Sequence, residues 1–174
     1  MMSNWSLPTT ITQYSEDGAE SVHVPWREVN NSLYIKGSNK LGIRTTKDLF
    51  HIARDPRHDI LQKTYFLKMT GFNFSNFDGP ITGIELRLQM NRGGRITDDT
   101  VQLCLQDSII GKNAGSLIVD PDKVYGGEND TWETTLSAQN INDSTFGVIL
   151  RFQSHPSWPH KSSPIIDAVE LRIH

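Results

Sequence analysis

The stretch Phe146-Gly147-Val148-Ile149-Leu150-Arg151-Phe152 decides the fold. Phe146, Val148, Leu150 and Phe152 fall at every second position, and successive side chains of a β-strand point to opposite faces of its sheet. The heptapeptide therefore reads as a strand with one apolar row, opposed by Ile149 and Arg151. The same period recurs in Ile84, Leu86, Leu88 and Met90, which alternate with Glu85, Arg87 and Gln89. It recurs again in Val101, Leu103 and Leu105, and in Asp167, Val169, Leu171 and Ile173 against Ala168, Glu170 and Arg172. Each apolar row is worth several kcal/mol once covered, at about 25 cal/mol per Å² of apolar surface. No amphipathic helix in the sequence is long enough to cover them. The rows predict two antiparallel sheets facing each other, an all-β sandwich of jelly-roll type.

Turn signals divide the strands. Asp78-Gly79-Pro80 precedes the Ile84 row, Arg92-Gly93-Gly94-Arg95 reads as a hairpin connection, and Ile109-Ile110-Gly111-Lys112-Asn113 reads as the close of another. Tyr65–Met69 and Phe72–Phe74 flank Gly71, which suggests a kink or bulge within one strand region. Before residue 64 the apolar fragments are short and separated by Asp17-Gly18, Asn30-Asn31 and Gly37-Ser38-Asn39. Lys47–Arg54 is read as two helical turns ended by Pro56. The expected organisation is an extended N-terminal arm over 1–20 and one sandwich domain over 21–174, best defined over 64–173.

Composition narrows the function. The 174 residues carry a formal charge of -3, with 36% hydrophobic and 21% charged residues. Four tryptophans lack interleaved Lys and Arg, so there is no basic field for a nucleic-acid backbone. No apolar run approaches the roughly 18 residues of a membrane span. Met1–Ser6 has no basic segment followed by an apolar stretch, so synthesis and folding in a cytoplasm are expected. Cys104 is the single cysteine, which excludes an intrachain disulfide.

Chemistry-bearing clusters are sparse. His51, Asp55, His58 and Asp59 match no zinc spacing. Asp98-Asp99 and Asp120-Pro121-Asp122 are the candidates for a structural calcium ion, because calcium takes loop oxygens. Glu85 and Glu170 are the paired carboxylates a glycosidase would need, yet they alternate with Arg87 and Arg172 and read as cross-strand ion pairs. No Gly-x-Ser-x-Gly elbow occurs. The expectation is a non-enzymatic protein without catalytic residues, metal or cofactor.

From Thr64 to Ile173 the chain resembles a β-sandwich module of tailed-bacteriophage virion proteins, found in tail, appendage and decoration proteins. The residues that carry the resemblance begin with Leu67 and Phe72-Asn73-Phe74, then Ile81-x-Gly83-Ile84-x-Leu86 and Asp98-x-x-Val101-x-Leu103. Tyr125-Gly126-Gly127-x-x-Asp130-x-Trp132 follows, then Ile141-Asn142, Phe146-Gly147-Val148 and Ile166-Asp167-x-Val169-x-Leu171-x-Ile173. The module usually has glycine after its tryptophan, where this chain has Glu133, and a second tryptophan near the position of Leu136. The resemblance implies a structural role in a virion, contacts with other virion proteins, and homo-oligomers. It brings no catalytic residues. Trp132 is expected to lid the open end of the sandwich, and Asp98, Asp143 and Asp167 to accept backbone hydrogen bonds at turns and strand ends.

Partner contacts are expected from the arm and loops: Trp5, Trp26, Tyr125, Trp132, His155, Trp158 and His160. Tryptophan between two prolines is hard to bury, and tryptophan is enriched at interface hot spots. The competing expectation is a receptor-binding carbohydrate module, in which Tyr125, Trp132 and Trp158 stack on a cell-surface glycan.

Overall fold

The computed structural model describes residues 2–16, 23–27, 29, 43–47, 49, 51–53, 59–74, 76–93, 96–116, 122–154 and 163–174. In chain order the elements are β1 (Thr10–Tyr14), β2 (Trp26–Arg27), β3 (Ile43–Thr45), β4 (His51–Ala53), β5 (Asp59–Leu61) and β6 (Phe66–Thr70). There follow β7 (Ile84–Gly93), β8 (Ile96–Leu105), β9 (Ser108–Ile110), β10 (Asp122–Gly127), α1 (Ala138–Asn142), β11 (Gly147–Ser154) and β12 (Ser163–Ile173). Two five-stranded antiparallel sheets form, in the orders β1-β6-β11-β8-β9 and β10-β7-β12-β3-β2; β4 and β5 make a separate two-stranded ribbon. The all-β sandwich expected from the alternation is the fold observed.

The inner rows meet as read. Ile84, Leu86, Leu88 and Met90 of one sheet pack in the same buried cluster as Val101, Leu103, Val148, Leu150 and Phe152 of the other. Burying each such side chain is worth about 1.5–3 kcal/mol, so this one layer supplies the main cohesion of the fold. A β-bulge where Arg151 gives way to Phe152 lets β8 keep Asp98 on the inner face while Asp99 becomes the extra residue.

Connections depart from the sequence reading in four places. Arg92–Arg95 does not close a hairpin, because β7 and β8 belong to different sheets and the chain crosses between them. The hairpin that does form joins β8 to β9 through Gln106 and Asp107, both at positive φ (49° and 64°), so Ile109 and Ile110 are strand and not turn. Gly71, at φ 73°, ends β6 instead of kinking it. Phe72 and Phe74 then fold over the sandwich end, with Phe74 6.3 Å from Phe146. The helix expected over Lys47–Arg54 is absent from the described residues there; His51–Ala53 is a strand paired with Asp59–Leu61. Eight residues gain too few intrahelical bonds to offset nucleation, whereas a ribbon pairs its backbone at once.

Over the described residues 2–16 the N-terminal segment is extended, and its backbone is bonded within the chain. Ser3 and Ser6 N–H groups donate to the Ile173 and Leu171 carbonyls (2.7 and 2.8 Å), pairing this segment alongside the C-terminal end of β12. The chain then changes sheet, and β1 pairs along the whole of β6. Gln13 links the sheets on this side: its Nε2 donates to the Trp26 carbonyl (2.9 Å) and its Oε1 accepts from the Trp26 N–H (2.8 Å).

Candidate functional site

Among the described residues, the layer between the sheets and the outer face of each sheet hold the paired charges and clustered aromatics. Between the sheets, buried Asp98 of β8 accepts from the Tyr125 hydroxyl of β10 (2.8 Å) and from Lys123 Nζ (3.2 Å). Ser116 N–H also donates to Asp98 at 3.3 Å. An anion removed from water needs such partners, and here the Tyr125 and Lys123 side chains come from the opposite sheet. Asp99, the bulged neighbour, instead accepts from Lys63 Nζ (2.9 Å) and Arg151 Nε (2.6 Å). Burial raises the Asp99 carboxyl's pKa, but the two cations outweigh it and the net shift is downward. Asp98 and Asp99 are therefore strand residues engaged on different sides, not a loop pair open to calcium.

The outer face of the β7–β12 sheet carries paired charges. Glu85 lies opposite Arg172, and Arg87 opposite Glu170, as cross-strand partners. Arg87 Nε donates to Glu170 (2.7 Å), and Arg172 Nε and His174 Nε2 both lie against Glu85 (2.8 and 3.0 Å). The Trp5 ring lies against both guanidinium groups, whose carbons are 4.3 and 4.4 Å from its centroid. Glu85 and Glu170 thus form the ion pairs read from the sequence.

The outer face of the β6–β11 sheet is different. Tyr14 and Phe66 stack with ring centroids 5.0 Å apart. Phe66, Ile149 and Cys104 form a buried apolar cluster separate from the main core. Cys104 is the ladder partner of Ile109. Together these residues draw one apolar stripe across the sheet from β1 to β9, with Tyr14 39% and Ile109 48% exposed at its two ends. Burial pushes the Cys104 thiol up to about 11, which removes it as a nucleophile near neutral pH. Charges border the stripe in pairs. Arg151 sits over the Phe66 ring (4.1 Å) and bonds Asp99 and Glu16, and Lys68 pairs with Asp107.

The residues expected to meet a partner are divided by the fold. Trp26, Tyr125 and Trp132 are buried, so their rings are spent inside the chain. Trp26 donates from its indole to the Tyr65 carbonyl (2.8 Å), and Trp132 to the Ile84 carbonyl (2.9 Å). Trp5 is half-buried on the arginine pair. His155, Trp158 and His160 lie outside the described residues, as do Asp55 and His58 of the zinc candidate and Asp120 of the calcium candidate. Among the described residues no group of three or more His, Cys, Asp or Glu side chains could hold a metal ion. Asp143 caps its turn as expected, accepting from the Thr145 N–H (2.8 Å) and hydroxyl. Among the described residues Asp167 accepts no such bond; burial and the nearby Asp122 charge raise its pKa.

The stripe residues Tyr14, Phe66 and Ile109 were not among the sequence candidates. Ile149 was the available signal: an isoleucine on a face that alternation assigns to water. Comparison of the chain with protein families, curated proteins and solved structures finds no match.

Proposed function

We propose that this chain is a non-enzymatic structural module that works by adhesion, packing the outer face of its β6–β11 sheet against a second copy of itself. The observation that carries this reading is the apolar stripe from Tyr14 to Ile109. Phe66, Ile149 and Cys104 are buried within it, and its exposed ends, Tyr14 and Ile109, offer apolar area on an outer sheet face rimmed by polar groups, which suits a protein contact. The charges beside it favour a like partner. Among the described residues of this face Lys63, Lys68 and Arg151 are matched by Glu16, Asp99 and Asp107, which leaves an oppositely charged partner no unbalanced charge there to meet. A two-fold axis presents such a face to itself, with apolar against apolar. The setting is a tailed-phage virion, in a capsid decoration layer or a tail, baseplate or fibre assembly, with other virion proteins as further neighbours. That part of the reading is supported by the ordered sequence blocks between Thr64 and Ile173.

Sedimentation equilibrium tests it with Ile109→Lys, which places a charge on an exposed edge position, and Val124→Lys, a 51%-exposed position on an edge of the other sheet. The wild type and Val124→Lys should self-associate with a Kd on the order of micromolar, and Ile109→Lys should weaken that association at least about tenfold. A wild type that stays monomeric to roughly 100 times that concentration overturns the proposal, as does equal weakening by both variants.

A further inference from the structure

The loop after β10 builds a second feature, remote in sequence from the stripe and independent of the assembly reading. A cavity of about 190 Å³ is lined by Ile81, Ile84, Thr131, Thr134, Thr135 and Leu136. Its wall is held in an unusual conformation. Trp132 and Glu133 both have positive φ (57° and 55°), which a bulky L-residue adopts only when its surroundings impose it. The imposing contacts are on either side of the loop. Trp132 N–H donates to Asp130 Oδ1 (2.8 Å), the Trp132 carbonyl accepts from the Lys112 N–H (2.8 Å), and Lys112 Nζ bonds Asp130 (3.0 Å). The Trp132 indole is buried and bonded to Ile84, so it anchors the loop from beneath. Thr134 N–H then donates to the Thr131 carbonyl (3.2 Å), closing the turn that carries the threonines.

The lining combines apolar side chains with three hydroxyls that make no side-chain hydrogen bond within the described residues. Recognition sites are commonly built this way, from an apolar surface and a few fixed polar groups. The cavity falls below the roughly 300–1,000 Å³ of pockets that enclose drug-sized molecules, and suits a single substituted ring. Among the described residues no ionisable side chain lines it, so a charged group entering would be desolvated without compensation. A hydroxyl both donates and accepts, which matches a ligand rich in hydroxyls.

We infer that this cavity is a subsite for one neutral sugar residue, with its C–H face against Ile81 and Leu136 and its hydroxyls on Thr131, Thr134 and Thr135. The cavity is small and has no aromatic platform, so a single site binds in the millimolar range, about −4 kcal/mol. Repeated copies on an assembly would raise avidity without any new contact.

Amide chemical-shift titration of the intact chain tests this with methyl glucoside, methyl galactoside and N-acetylglucosamine as probes, and glucose 6-phosphate as the charged comparison. At least one neutral sugar should shift the amides of residues 131–136 saturably at roughly 1–20 mM. Thr134→Val should weaken that binding about fivefold or more while leaving the amides of β7 and β11 in place. Thr135→Val, at an exposed position, gives the same readout if the first variant disturbs the fold. The inference is overturned if no neutral sugar gives saturable shifts by about 100 mM, if both variants respond like the wild type, or if the phosphorylated sugar binds more tightly. None of these outcomes bears on the Ile109→Lys test, so failure of one proposal is distinguishable from failure of the other.

Discussion

Glu133→Gly should stabilise this protein, although glycine substitutions usually destabilise. Glu133 sits at φ 55°, where Cβ crowds the following carbonyl, at a cost of roughly 1–2 kcal/mol for an L-residue. Glycine has no Cβ and escapes that cost, while its freer unfolded chain takes back about 0.4–1 kcal/mol. The Glu133 side chain is exposed and makes no ion pair or hydrogen bond among the described residues, so its removal loses no contact. The net is a gain of about 0.5–1 kcal/mol, or a Tm rise of a few degrees for a chain of this size. Urea unfolding measures it as a higher midpoint at constant slope. Glu128→Gly is the comparison, since Glu128 is an exposed residue one turn earlier without positive φ. It should lose about 0.5–1 kcal/mol, in line with the ordinary cost of glycine. If Glu133→Gly destabilises as much as Glu128→Gly, the left-handed conformation of the Trp132 loop is wrong.

Two further outcomes follow from the ionisable groups. Cys104, fully buried and with its thiol at about 11, should resist thiol reagents in the native state near pH 8 and react only as the chain unfolds; prompt labelling of native protein would contradict its place in the buried middle of the stripe. Asp99 has a folded pKa below its ordinary value of 3.8, so it contributes stability that is present above that value and lost as pH falls through the folded one. The urea midpoint of the wild type should therefore fall more steeply than that of Asp99→Asn between about pH 5 and pH 2.5, and parallel curves would remove the Lys63–Asp99–Arg151 network from the account.

The parts of the fold legible in the sequence are those set by period. Ile84–Met90 declares its faces because one face is core and the other is partly wet, whereas Phe146–Phe152 declares only its core row, since Ile149 and Arg151 on its outer face are buried too. What the sequence hides is which strand each one joins. Arg92-Gly93-Gly94-Arg95 has the composition of a hairpin, yet β7 and β8 pair in different sheets. A tight turn and a crossing between layers both favour glycine. The true β8–β9 turn uses Gln106 and Asp107 at positive φ, with no glycine to announce it.

The site was harder to read for a related reason. Tryptophan marks both cores and interfaces, and burial alone separates Trp26 and Trp132 from Trp5. The stripe is assembled from residues in five strands, Tyr14, Phe66, Ile149, Cys104 and Ile109, and no local window contains it. Ion pairs were easier. Alternating Glu and Arg on adjacent strands place opposite charges side by side, as Glu85–Arg172 and Arg87–Glu170 show.

The central claim is that two sheets close on each other within one chain, which leaves their outer faces for other work. Asp98 and Tyr125 belong to different sheets and touch only if that claim holds. A double-mutant cycle of Asp98→Asn and Tyr125→Phe, read by urea unfolding, measures their coupling directly. A coupling energy of about 1–2 kcal/mol is the expected result for a buried bond to a charged acceptor. Strictly additive losses would mean that β8 and β10 do not face each other, and the sandwich described here would fall.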